Sequence, residues 1–413
     1  MTTTNTRIAI IGGGPAGLLC ARILQRHGLD PAVYDADATA DSRDPGGTLD
    51  LHADSGQIAL EDAGLMDAFR ALARPEGQAK TRRDHHGTVL TAFTPAEGDA
   101  AAPEIDRGRL RAMLHANLRP GTVRWGHKLL RATPAGGGAH RLAFANGATV
   151  EADLVLGADG AWSKVRPLLT DAVPQYLGVA FLDTRFDAVD TRHPEIAALV
   201  GDGHLFATDG DGRAVIVQRN SNGVVRGYVA FRARTDWHLR AGLDLTDRAA
   251  VRAHLLREFS GWSTDLRPLL TDNDSEYVPR SFWALPAPLT WDRVPGITLL
   301  GDAAHLMAPF GGHGANLALL DGAELAHALH AEATVENALI RYETAMFARS
   351  GELAVSANDA LARFFATTPP DAPHLPPDPA QEHRNYVARA AAYRRRRAEE
   401  DHTAKPAGAR GDA

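Results

Sequence analysis

The feature that most constrains how this chain folds is a glycine loop near the N-terminus, Gly12-x-Gly14-x-x-Gly17. It lies between an apolar run that suits a buried parallel strand and a segment with the apolar spacing of a helix, and a second strand pattern follows. These three segments are residues 7–11, 18–27 and 31–34. A strand, a glycine loop, a helix and a strand within about 30 residues predict a βαβ unit.

The same loop predicts a dinucleotide site. Its first glycine allows the tight turn out of the strand, its second lets a pyrophosphate approach the backbone, and its third lets the helix pack against the sheet. Pro15 and Ala16 lie within the loop and are also expected to contact the cofactor, and the N-terminus of the following helix would present free N–H groups to the phosphates. Asp35 ends the second strand and is placed to bind a ribose diol. The alternative is a glycine-rich turn with no function.

Two later strand patterns end in polar turns. Residues 153–156 and 297–300 are mostly apolar, and Asp159 and Asp302 follow them. Buried strands that end in this way suit the carboxyl edge of a doubly wound sheet, where ligands bind. The Asp302 carboxylate is suited to accept hydrogen bonds from a ribityl chain; the alternative is a helix N-cap. Asp159 has a similar alternative as a turn residue.

A second glycine run favours FAD over other dinucleotides. Pro309, Gly312 and Gly314 would let the backbone contact a flat ring, and a helix that begins near Gly314 would direct its N-terminus at the N1–C2=O edge. A disulfide reductase needs a CxxC pair, and this chain has one cysteine, Cys20. We therefore expect a permanent FAD group, with a nicotinamide dehydrogenase as an open alternative.

The region from about residue 171 to 280 has a different pattern. Two of its segments alternate between apolar and polar residues and are joined by a glycine-containing turn, at residues 214–219 and 224–231. They predict an antiparallel hairpin. Arg226, Tyr228 and Arg232 share one side of the second strand by period two. Gln218 and Arg232 are candidates to face the flavin; the alternative is a solvated face.

Composition narrows the function. The 44 basic and 51 acidic residues give a formal charge of −7, which argues against a nucleic-acid partner. One cysteine excludes an intramolecular disulfide and a thiolate zinc site. We predict no metal site, because His85 and His86 are adjacent and would point to opposite sides of a strand. No apolar run is long enough to span a membrane, and we expect a cytoplasmic monomer.

The chain after Gly314 is predicted to be helical. Six prolines in residues 369–379 predict an extended linker. A further helix is expected at about residues 381–400, with Arg394–Arg397 on a solvated face. From about residue 402 onwards we expect disorder.

Three motifs taken together carry a family resemblance: the glycine loop, the Gly157–Gly160 turn and the Gly301–His305 turn, in this order. The chain resembles the single-component aromatic hydroxylases, flavoprotein monooxygenases with a 4-hydroxybenzoate-hydroxylase-like fold. Within them it is most similar to the tetracycline-inactivating monooxygenases, through Gly46-Gly47-Thr48-Leu49-Asp50-Leu51-His52, Ser55-Gly56-Gln57, Glu104-Ile105-Asp106-Arg107 and residues 301–309. The resemblance extends over residues 7–365 and is weak in the sheet region.

The resemblance implies an α/β fold with a Rossmann-like FAD-binding domain, an inserted antiparallel β-sheet substrate domain and C-terminal helices. We expect the FAD-binding domain at residues 1–72, 100–170 and 280–318. We expect the substrate-binding sheet at residues 73–99 and 171–279, and the C-terminal helices, linker and tail at residues 319–413.

The resemblance also implies a role for each residue that matches a family motif. The implied FAD contacts are Gly12, Gly14 and Gly17 on the pyrophosphate, Asp35 on the adenosine ribose, Asp50 and Arg107 on the flavin half, Asp302 on the ribityl chain, and Gly312 and Gly314 behind the isoalloxazine. Arg43 stands where the family has an arginine linked to NADPH. The alternative for Arg43 and for Arg107 is an ordinary surface arginine.

The sequence departs from the family pattern in the substrate region. The family binds tetracycline with a glutamine and an arginine on the inserted sheet, and residues 199–205 do not reproduce them. His204 falls near the place of that arginine, Trp162 stands where a small polar residue is common, and His313 stands where glutamine is usual. The expected substrate contacts are His204, Gln218, Arg232, Pro309 and Gly312.

The function implied by the resemblance is an FAD-dependent monooxygenase that consumes NADPH and O2. It would hydroxylate a tetracycline-like polycycle through a flavin hydroperoxide and so inactivate the antibiotic, with no side chain acting as a nucleophile. One alternative is a biosynthetic hydroxylase of an aromatic polyketide or another phenolic compound. A more distant alternative is a flavin-containing protein that binds and sequesters the polycycle without oxidising it.

Overall fold

A parallel sheet carries the glycine loop in the computed structural model, which describes residues 6–42, 46–367 and 378–404. The strands are β1 (Ile8–Ile11), β2 (Ala32–Tyr34), β3 (Thr48–Asp50), β4 (Lys80–Asp84), β5 (Val89–Phe93), β6 (Glu104–Asp106), β7 (Val123–Arg124), β8 (Leu129–Gly136), β9 (Ala139–Phe144), β10 (Thr149–Ala152), β11 (Leu154–Gly157), β12 (Gln175–Phe186), β13 (His204–Thr208), β14 (Arg213–Asn220), β15 (Val224–Arg232), β16 (Val278–Ala284) and β17 (Ile297–Leu299). The parallel sheet has the order β17-β11-β1-β2-β7. Every residue of β1 and β11 is buried, as expected for strands covered on both faces.

The helices of the described residues cover this sheet and extend from it. They are α1 (Pro15–Arg26), α2 (Gly56–Asp62), α3 (Met66–Arg70), α4 (Arg107–Ala116), α5 (Val189–Arg192), α6 (Pro194–Val200), α7 (Trp237–Arg240), α8 (Arg248–Glu258), α9 (Pro268–Thr271), α10 (Asp302–His305), α11 (His313–Ala331), α12 (Val335–Phe364) and α13 (Pro379–Ala404), with short 3-10 helices at Pro75–Gln78, Arg166–Leu168 and Thr264–Leu266. α1 packs closely on α11, because a methyl group at Gly322 would lie 2.7 Å from the Ala16 carbonyl oxygen. Cys20 is buried in this core. The predicted βαβ unit and the α/β class are confirmed.

A second sheet of seven strands has the order β16-β12-β15-β14-β13-β4-β5. The predicted hairpin is present as β14 and β15. Neighbouring strands are antiparallel except β13 and β4, which pair in parallel. This sheet is therefore mixed, because a strand from residues 80–84 joins one from residues 204–208. Its last strand in the chain, β16, reaches Ala284, beyond the expected end of the sheet segment at residue 279.

The two faces of the seven-stranded sheet have different partners. One face contributes Val215, Val217 and Val229 to an apolar cluster with side chains of α6 and α8. The other face contributes Phe181, Ile216, Tyr228 and neighbouring residues to a cluster that includes Phe310 and Phe365. This second face is the one that meets the loops of the parallel sheet.

Two features of the fold do not follow from the sequence patterns used above. One is a three-stranded antiparallel sheet of order β10-β9-β8. The other is the position of α13, which packs against α2 and the turn before it: Arg389 Nε lies 2.6 Å from Asp54 Oδ2, and Arg394 Nη2 lies 2.9 Å from Glu61 Oε2. Arg394 is exposed, as predicted, but it is paired.

The predicted linker and tail are only partly covered by the described residues. Residues 368–377 and 405–413 lie outside them. α13 continues to Ala404, so it extends past residue 402, where we expected disorder to begin. Among the residues that the structure describes, no helix has both the length and the apolar character needed to cross a bilayer.

Candidate active site

The glycine loop has the geometry expected of a pyrophosphate site. Gly12 has φ +110°, and a methyl group there would overlap the Ala158 carbonyl oxygen. A methyl group at Gly17 would overlap the Gly12 carbonyl oxygen, whereas a methyl group at Gly14 would meet nothing within 4 Å. Gly12 and Gly17 are therefore required by close packing within the protein, and Gly14 faces open space at the start of α1, where an anion can approach.

Asp35 is held against the glycine loop. Its Oδ2 accepts a hydrogen bond from the Gly13 N–H at 2.5 Å, and its Oδ1 accepts one from the Asp37 N–H at 2.8 Å. Arg111 of α4 donates to Asp35 Oδ1 at 3.4 Å and lies 2.8 Å from Asp37 Oδ2. The acid predicted for the ribose is thus fixed at the end of β2, with an arginine that the sequence analysis did not identify.

Asp302 is the first residue of α10, and the N-cap of that helix is Gly301. The Asp302 side chain is exposed and makes no hydrogen bond or ion pair with any residue that the structure describes. Its Oδ1 would lie 4.0 Å from a methyl group at Gly314, near the N-terminus of α11. The helix-capping alternative is therefore not supported, and no described residue occupies the carboxylate, which can accept hydrogen bonds from a ligand.

Asn316 connects the two loops that the resemblance places around the flavin. Its Oδ1 accepts hydrogen bonds from the backbone N–H groups of His52, at 2.8 Å, and Gly56, at 3.2 Å. Its Nδ2 donates to the carbonyl oxygens of Asp50, at 2.7 Å, and Gly312, at 2.9 Å. A methyl group at Gly312 would overlap the Asp50 carboxylate. Asp50 and Gly312 are therefore brought together and fixed by one buried amide.

Two titratable groups at this junction, Asp50 and His313, have pKa values shifted from their ordinary values. Asp50 Oδ2 lies 3.4 Å from His52 Nε2 and 3.9 Å from Lys80 Nζ. Burial disfavours the charged Asp50 carboxylate, but His52, Lys80 and His204 outweigh burial and hold the pKa of Asp50 well below its ordinary value. Burial, with a further contribution from His52, lowers the pKa of His313 to about 4. At neutral pH, Asp50 is therefore ionised and His313 is neutral.

The remaining predicted cofactor residues, which include Arg107, Asp159 and Pro309, differ in their contacts with the rest of the protein. Arg107 is exposed at the start of α4, and its backbone N–H donates to the Gly47 carbonyl oxygen at 3.0 Å. The Asp159 carboxylate accepts hydrogen bonds from Ser163 Oγ, at 2.5 Å, and the Lys164 N–H, at 2.7 Å, as a turn residue would. Pro309 is exposed beside Phe310, and Arg43 lies outside the described residues.

Four side chains of the seven-stranded sheet form a loop-facing row, which consists of Lys80, His204, Gln218 and Arg226. Each of them lies close to the segment Gly46–Asp50 or to its partner strand β6. Lys80 approaches Asp50, Gln218 Oε1 would lie 2.9 Å from a methyl group at Gly47, and Arg226 donates to the Gly46 carbonyl oxygen at 3.0 Å. The loop-facing row therefore packs the sheet against the segment Gly46–Asp50, which the resemblance places beside the flavin.

His204 is part of a buried network in that row. Its Nε2 lies 2.7 Å from Glu104 Oε1, and Thr48 Oγ1 donates to Glu104 Oε2 at 2.6 Å. Glu104 is 1% exposed and His204 is 6% exposed. The His204 ring thus joins the sheet to β3 and β6, and its Nε2 atom is already engaged by Glu104.

Arg232 lies apart from the loop-facing row. Its Nε donates to the Phe365 carbonyl oxygen at 2.6 Å and its Nη2 to the Ala362 carbonyl oxygen at 3.4 Å, so it binds the C-terminal end of α12. Trp162 is 60% exposed and contacts Trp283, with ring centroids 5.3 Å apart. Neither side chain is brought to Gly312 by a described contact.

The prediction that His85 and His86 point oppositely along a strand is wrong. Both residues lie in the turn between β4 and β5, and their ring centroids are 3.9 Å apart. A turn does not impose the two-residue alternation of a strand, so the argument from alternation does not apply to this pair.

One step further along the same face lies a row of two aromatic residues and one isoleucine, Phe206, Ile216 and Tyr228, which we call the aromatic row. Tyr228 contacts Phe181, with ring centroids 4.6 Å apart. Phe310, from the loop that contains Gly312, belongs to the same apolar cluster. The aromatic row and Phe310 therefore belong to one apolar cluster that connects the sheet to the loop of Gly312.

Several residues of this site were missed from the sequence. Glu104 belongs to one of the family motifs and Asn316 follows the second glycine run, but neither was assigned a role. A polar amide in the first turns of a helix is a signal for local or functional hydrogen bonding, and this signal could have identified Asn316. Lys80 and Phe206 carry no local signal, because only strand pairing places them on this face.

Comparison with known proteins agrees with this geometry. Residues 5–351 match the profile of a protein family described as FAD binding domain. A relative with 30% identity is the 3-amino-4-hydroxybenzoate 2-monooxygenase PtnB3 of Streptomyces platensis, which aligns over 398 residues, 93% of this chain and 93% of that protein.

Two solved structures share the fold. HpxO from Klebsiella pneumoniae, complexed with FAD and uric acid, has a TM-score of 0.73 at 21% identity and covers 93% of this chain and 93% of its own. The tetracycline destructase Tet(55) has a TM-score of 0.67 at 22% identity and covers 94% of this chain and 97% of its own. At these identities the structural matches establish the fold.

Proposed function

This chain belongs to the FAD-binding-domain family of flavin-dependent monooxygenases, and we propose that it hydroxylates a tetracycline-like polycyclic substrate with NADPH as the reductant. When bound, FAD would supply the redox chemistry and the activation of O2. The protein would bind and orient the substrate and keep water away from the reacting carbon.

The residues present fit FAD. Gly14 leaves open space at the N-terminus of α1, where the partial positive charge of the helix favours a pyrophosphate. Asp302 offers an exposed carboxylate with no described partner for the hydroxyl groups of a ribityl chain. Gly312, the N-cap of α11, has φ +67° and presents backbone rather than a side chain. These features lie in three separate segments of the chain. An extended ligand with a nucleotide half and a flavin half would be contacted by several such segments.

The observation that carries the substrate proposal is the aromatic row. Phe206, Ile216 and Tyr228 form an apolar wall with Phe181, and Phe310 extends this wall to the loop of Gly312. Aromatic and branched side chains favour contact with a flat, fused-ring molecule through stacking and burial of apolar area. The same wall would exclude water from the space above the flavin.

Mass spectrometry of tetracycline tests this proposal. The purified protein would be incubated with FAD, NADPH, air and tetracycline, and a product one oxygen atom heavier is expected. Its absence without NADPH would be the control for an uncatalysed oxidation. Unchanged tetracycline, with FAD bound and NADPH present, would contradict the proposed substrate but not the membership of the family.

A second candidate is a biosynthetic hydroxylase of an aromatic polyketide or another phenolic compound. It is favoured by His204, whose Nε2 is engaged by Glu104 and offers no polar contact of the kind that the resemblance implies for tetracycline. NADPH oxidation stimulated by a phenolic acid or a polyketide, and not by tetracycline, would support this candidate.

The ribityl assignment gives a separate prediction for Asp302→Ala. FAD affinity is expected to fall about 10- to 100-fold, because hydrogen bonds to a charged group contribute about 1.5–3 kcal/mol. The melting temperature of the FAD-free protein should not change, since the side chain is exposed and makes no described contact. The matched control is Asp292→Ala, at another exposed acid with no described partner. Equal FAD affinity in the two variants would show the assignment to be wrong.

A further inference from the structure

We call the face of the seven-stranded sheet that carries the loop-facing row and the aromatic row the inner face. Arg82 differs from the other cations on this face. Lys80 is near Asp50, and Arg226 donates to Gly46. Arg82 is half-buried, yet among the residues that the structure describes it has no hydrogen bond and no ion pair. Its guanidinium carbon lies 5.4 Å from the centroid of the Phe206 ring. It is therefore a charged group held over an aromatic surface, and no residue that the structure describes occupies its N–H donors.

The position of Arg82 follows from strand geometry. Arg82 pairs with Phe206 in the parallel ladder of β4 and β13, so its side chain extends from the inner face beside the aromatic row. Lys80, two residues earlier, points to the same face and reaches Asp50. Two residues of a strand span about 7 Å. Arg82 therefore lies about 7 Å along β4 from Lys80, the member of the loop-facing row that approaches Asp50.

The described residues around Arg82 partly enclose it, and none of them forms an ion pair with it. Burial lowers the pKa of Arg82, and the Glu382 carboxylate of α13 offsets this effect only in part. α13 also packs on the edge of the sheet, where the ring centroids of His383 and Phe93 are 5.0 Å apart. An arginine in such a place keeps its charge, and a half-buried charge without a hydrogen-bonded counter-ion is stabilised by any anion that reaches it.

We propose that Arg82 is the specificity residue that binds an anionic oxygen group of the substrate, while the fused rings lie along the aromatic row. The guanidinium offers two parallel N–H donors, which match a carboxylate or the ionised oxygens of an enol or phenol. The Phe206 ring holds the guanidinium plane in place. The assignment rests on the proposed function in one respect: it takes the aromatic row to be the wall of the substrate site.

Substrate binding to the FAD-loaded protein tests this assignment without requiring turnover. Binding is measured from the change in flavin absorbance. The probes are 3-amino-4-hydroxybenzoate, its neutral carboxamide, and tetracycline as a source of an ionised enol. The variants are Arg82→Gln, Arg82→Lys and Arg83→Gln. Arg83 is the matched control, because it is the next residue of β4, faces the opposite side and donates to the Gly87 carbonyl oxygen at 2.8 Å.

The wild-type protein is expected to bind at least one anionic probe about 10- to 100-fold more tightly than the carboxamide. Arg82→Gln should remove this preference and leave carboxamide binding unchanged, and Arg82→Lys should restore part of it. Arg83→Gln should behave as the wild type. Whether the acid or tetracycline shows the effect identifies a carboxylate or an ionised enol as the anion.

Two results would overturn the assignment: a wild-type protein that prefers neither anionic probe to the carboxamide, or equal losses in Arg82→Gln and Arg83→Gln. The assignment and the proposed function fail separately. Binding that depends on Arg82, with no oxygenated product by mass spectrometry, would contradict the proposed function alone. An oxygenated product that forms equally well in Arg82→Gln would contradict the role of Arg82 alone.

Discussion

Gly14→Ala is expected to fold as stably as the wild-type protein and to lose its FAD. The backbone at Gly14 has φ −82° and ψ 180°, which alanine adopts without strain, and a methyl group there would meet nothing within 4 Å. The open space beside Gly14 is the space that the pyrophosphate would occupy. We therefore expect FAD affinity to fall by about 100-fold or more, since the close approach of the phosphates is blocked.

Two further glycines provide the controls for this prediction. Gly17→Ala should destabilise the FAD-free protein as well, because the methyl group would overlap the Gly12 carbonyl oxygen. Gly261→Ala should change neither property, because its methyl group also meets nothing within 4 Å and lies in the loop after α8. The measurements are the FAD-to-protein ratio after desalting and the melting temperature after FAD removal. A Gly14→Ala protein that keeps as much FAD as Gly261→Ala would contradict the assigned site.

Asn316→Ala is expected to have the largest effect on stability. The amide makes four hydrogen bonds to the backbone of the segments at Asp50–Gly56 and Gly312. It is 1% exposed, so water would not readily replace these bonds. Each of the four backbone groups left without a partner costs about 1–3 kcal/mol, so we expect a loss of about 4 kcal/mol or more in the free energy of unfolding.

FAD affinity separates the local role of Asn316 from a general loss of stability. Asn273 is the matched control: it is also 1% exposed, and its Oδ1 accepts hydrogen bonds from the Arg185 and Ser275 N–H groups. Asn273→Ala should lower the free energy of unfolding without changing FAD affinity. Asn316→Ala should lower both, because Asp50 and Gly312 would no longer be fixed. Denaturant unfolding of the FAD-free proteins and FAD titration measure the two quantities; equal FAD affinity in both variants would show that Asn316 has no role at the site.

The parts of the fold that could be predicted from the sequence are those with local causes. A positive φ at Gly12 and the close packing at Gly17 are requirements of one turn and one helix start, so the glycine spacing indicates them directly. The hairpin of β14 and β15 likewise follows from alternation and a turn. The start of α11 at His313, one residue before the expected Gly314, was also predictable from the glycine run.

The contacts that complete the site are long-range and carry no local signal. Asn316 and the Asp50 carbonyl group are 266 positions apart, and His204 and Glu104 are 100 positions apart. Their pairing depends on the register of β13 against β4 and on the docking of α11. The family resemblance identified His204 as a candidate substrate contact, but the pairing of its ring with a buried glutamate could not be predicted from alternation alone.

The position of α13 has the same explanation. Its arginines predict a solvated face, and Arg394 is exposed. The opposite side carries Tyr386, whose ring stacks on His52 with centroids 4.1 Å apart, and Ala390, which packs with Ile58 and Leu320. This small apolar stripe is hidden among charged residues, and a helix of such composition gives a weak amphipathic pattern.

The parallel pairing of β4 with β13 has a consequence for the order in which the protein can form during translation. β4 and β5 are synthesised about 120 residues before β13, so their hairpin has no sheet to join when it leaves the ribosome. β5 has Val89 and Leu90 side chains that are 48% and 58% exposed even in the folded protein. Until β13 arrives, both edges of this hairpin are open to pairing with other chains. Slow translation or a chaperone that shields residues 80–93 would therefore influence the yield of folded protein more than its final stability.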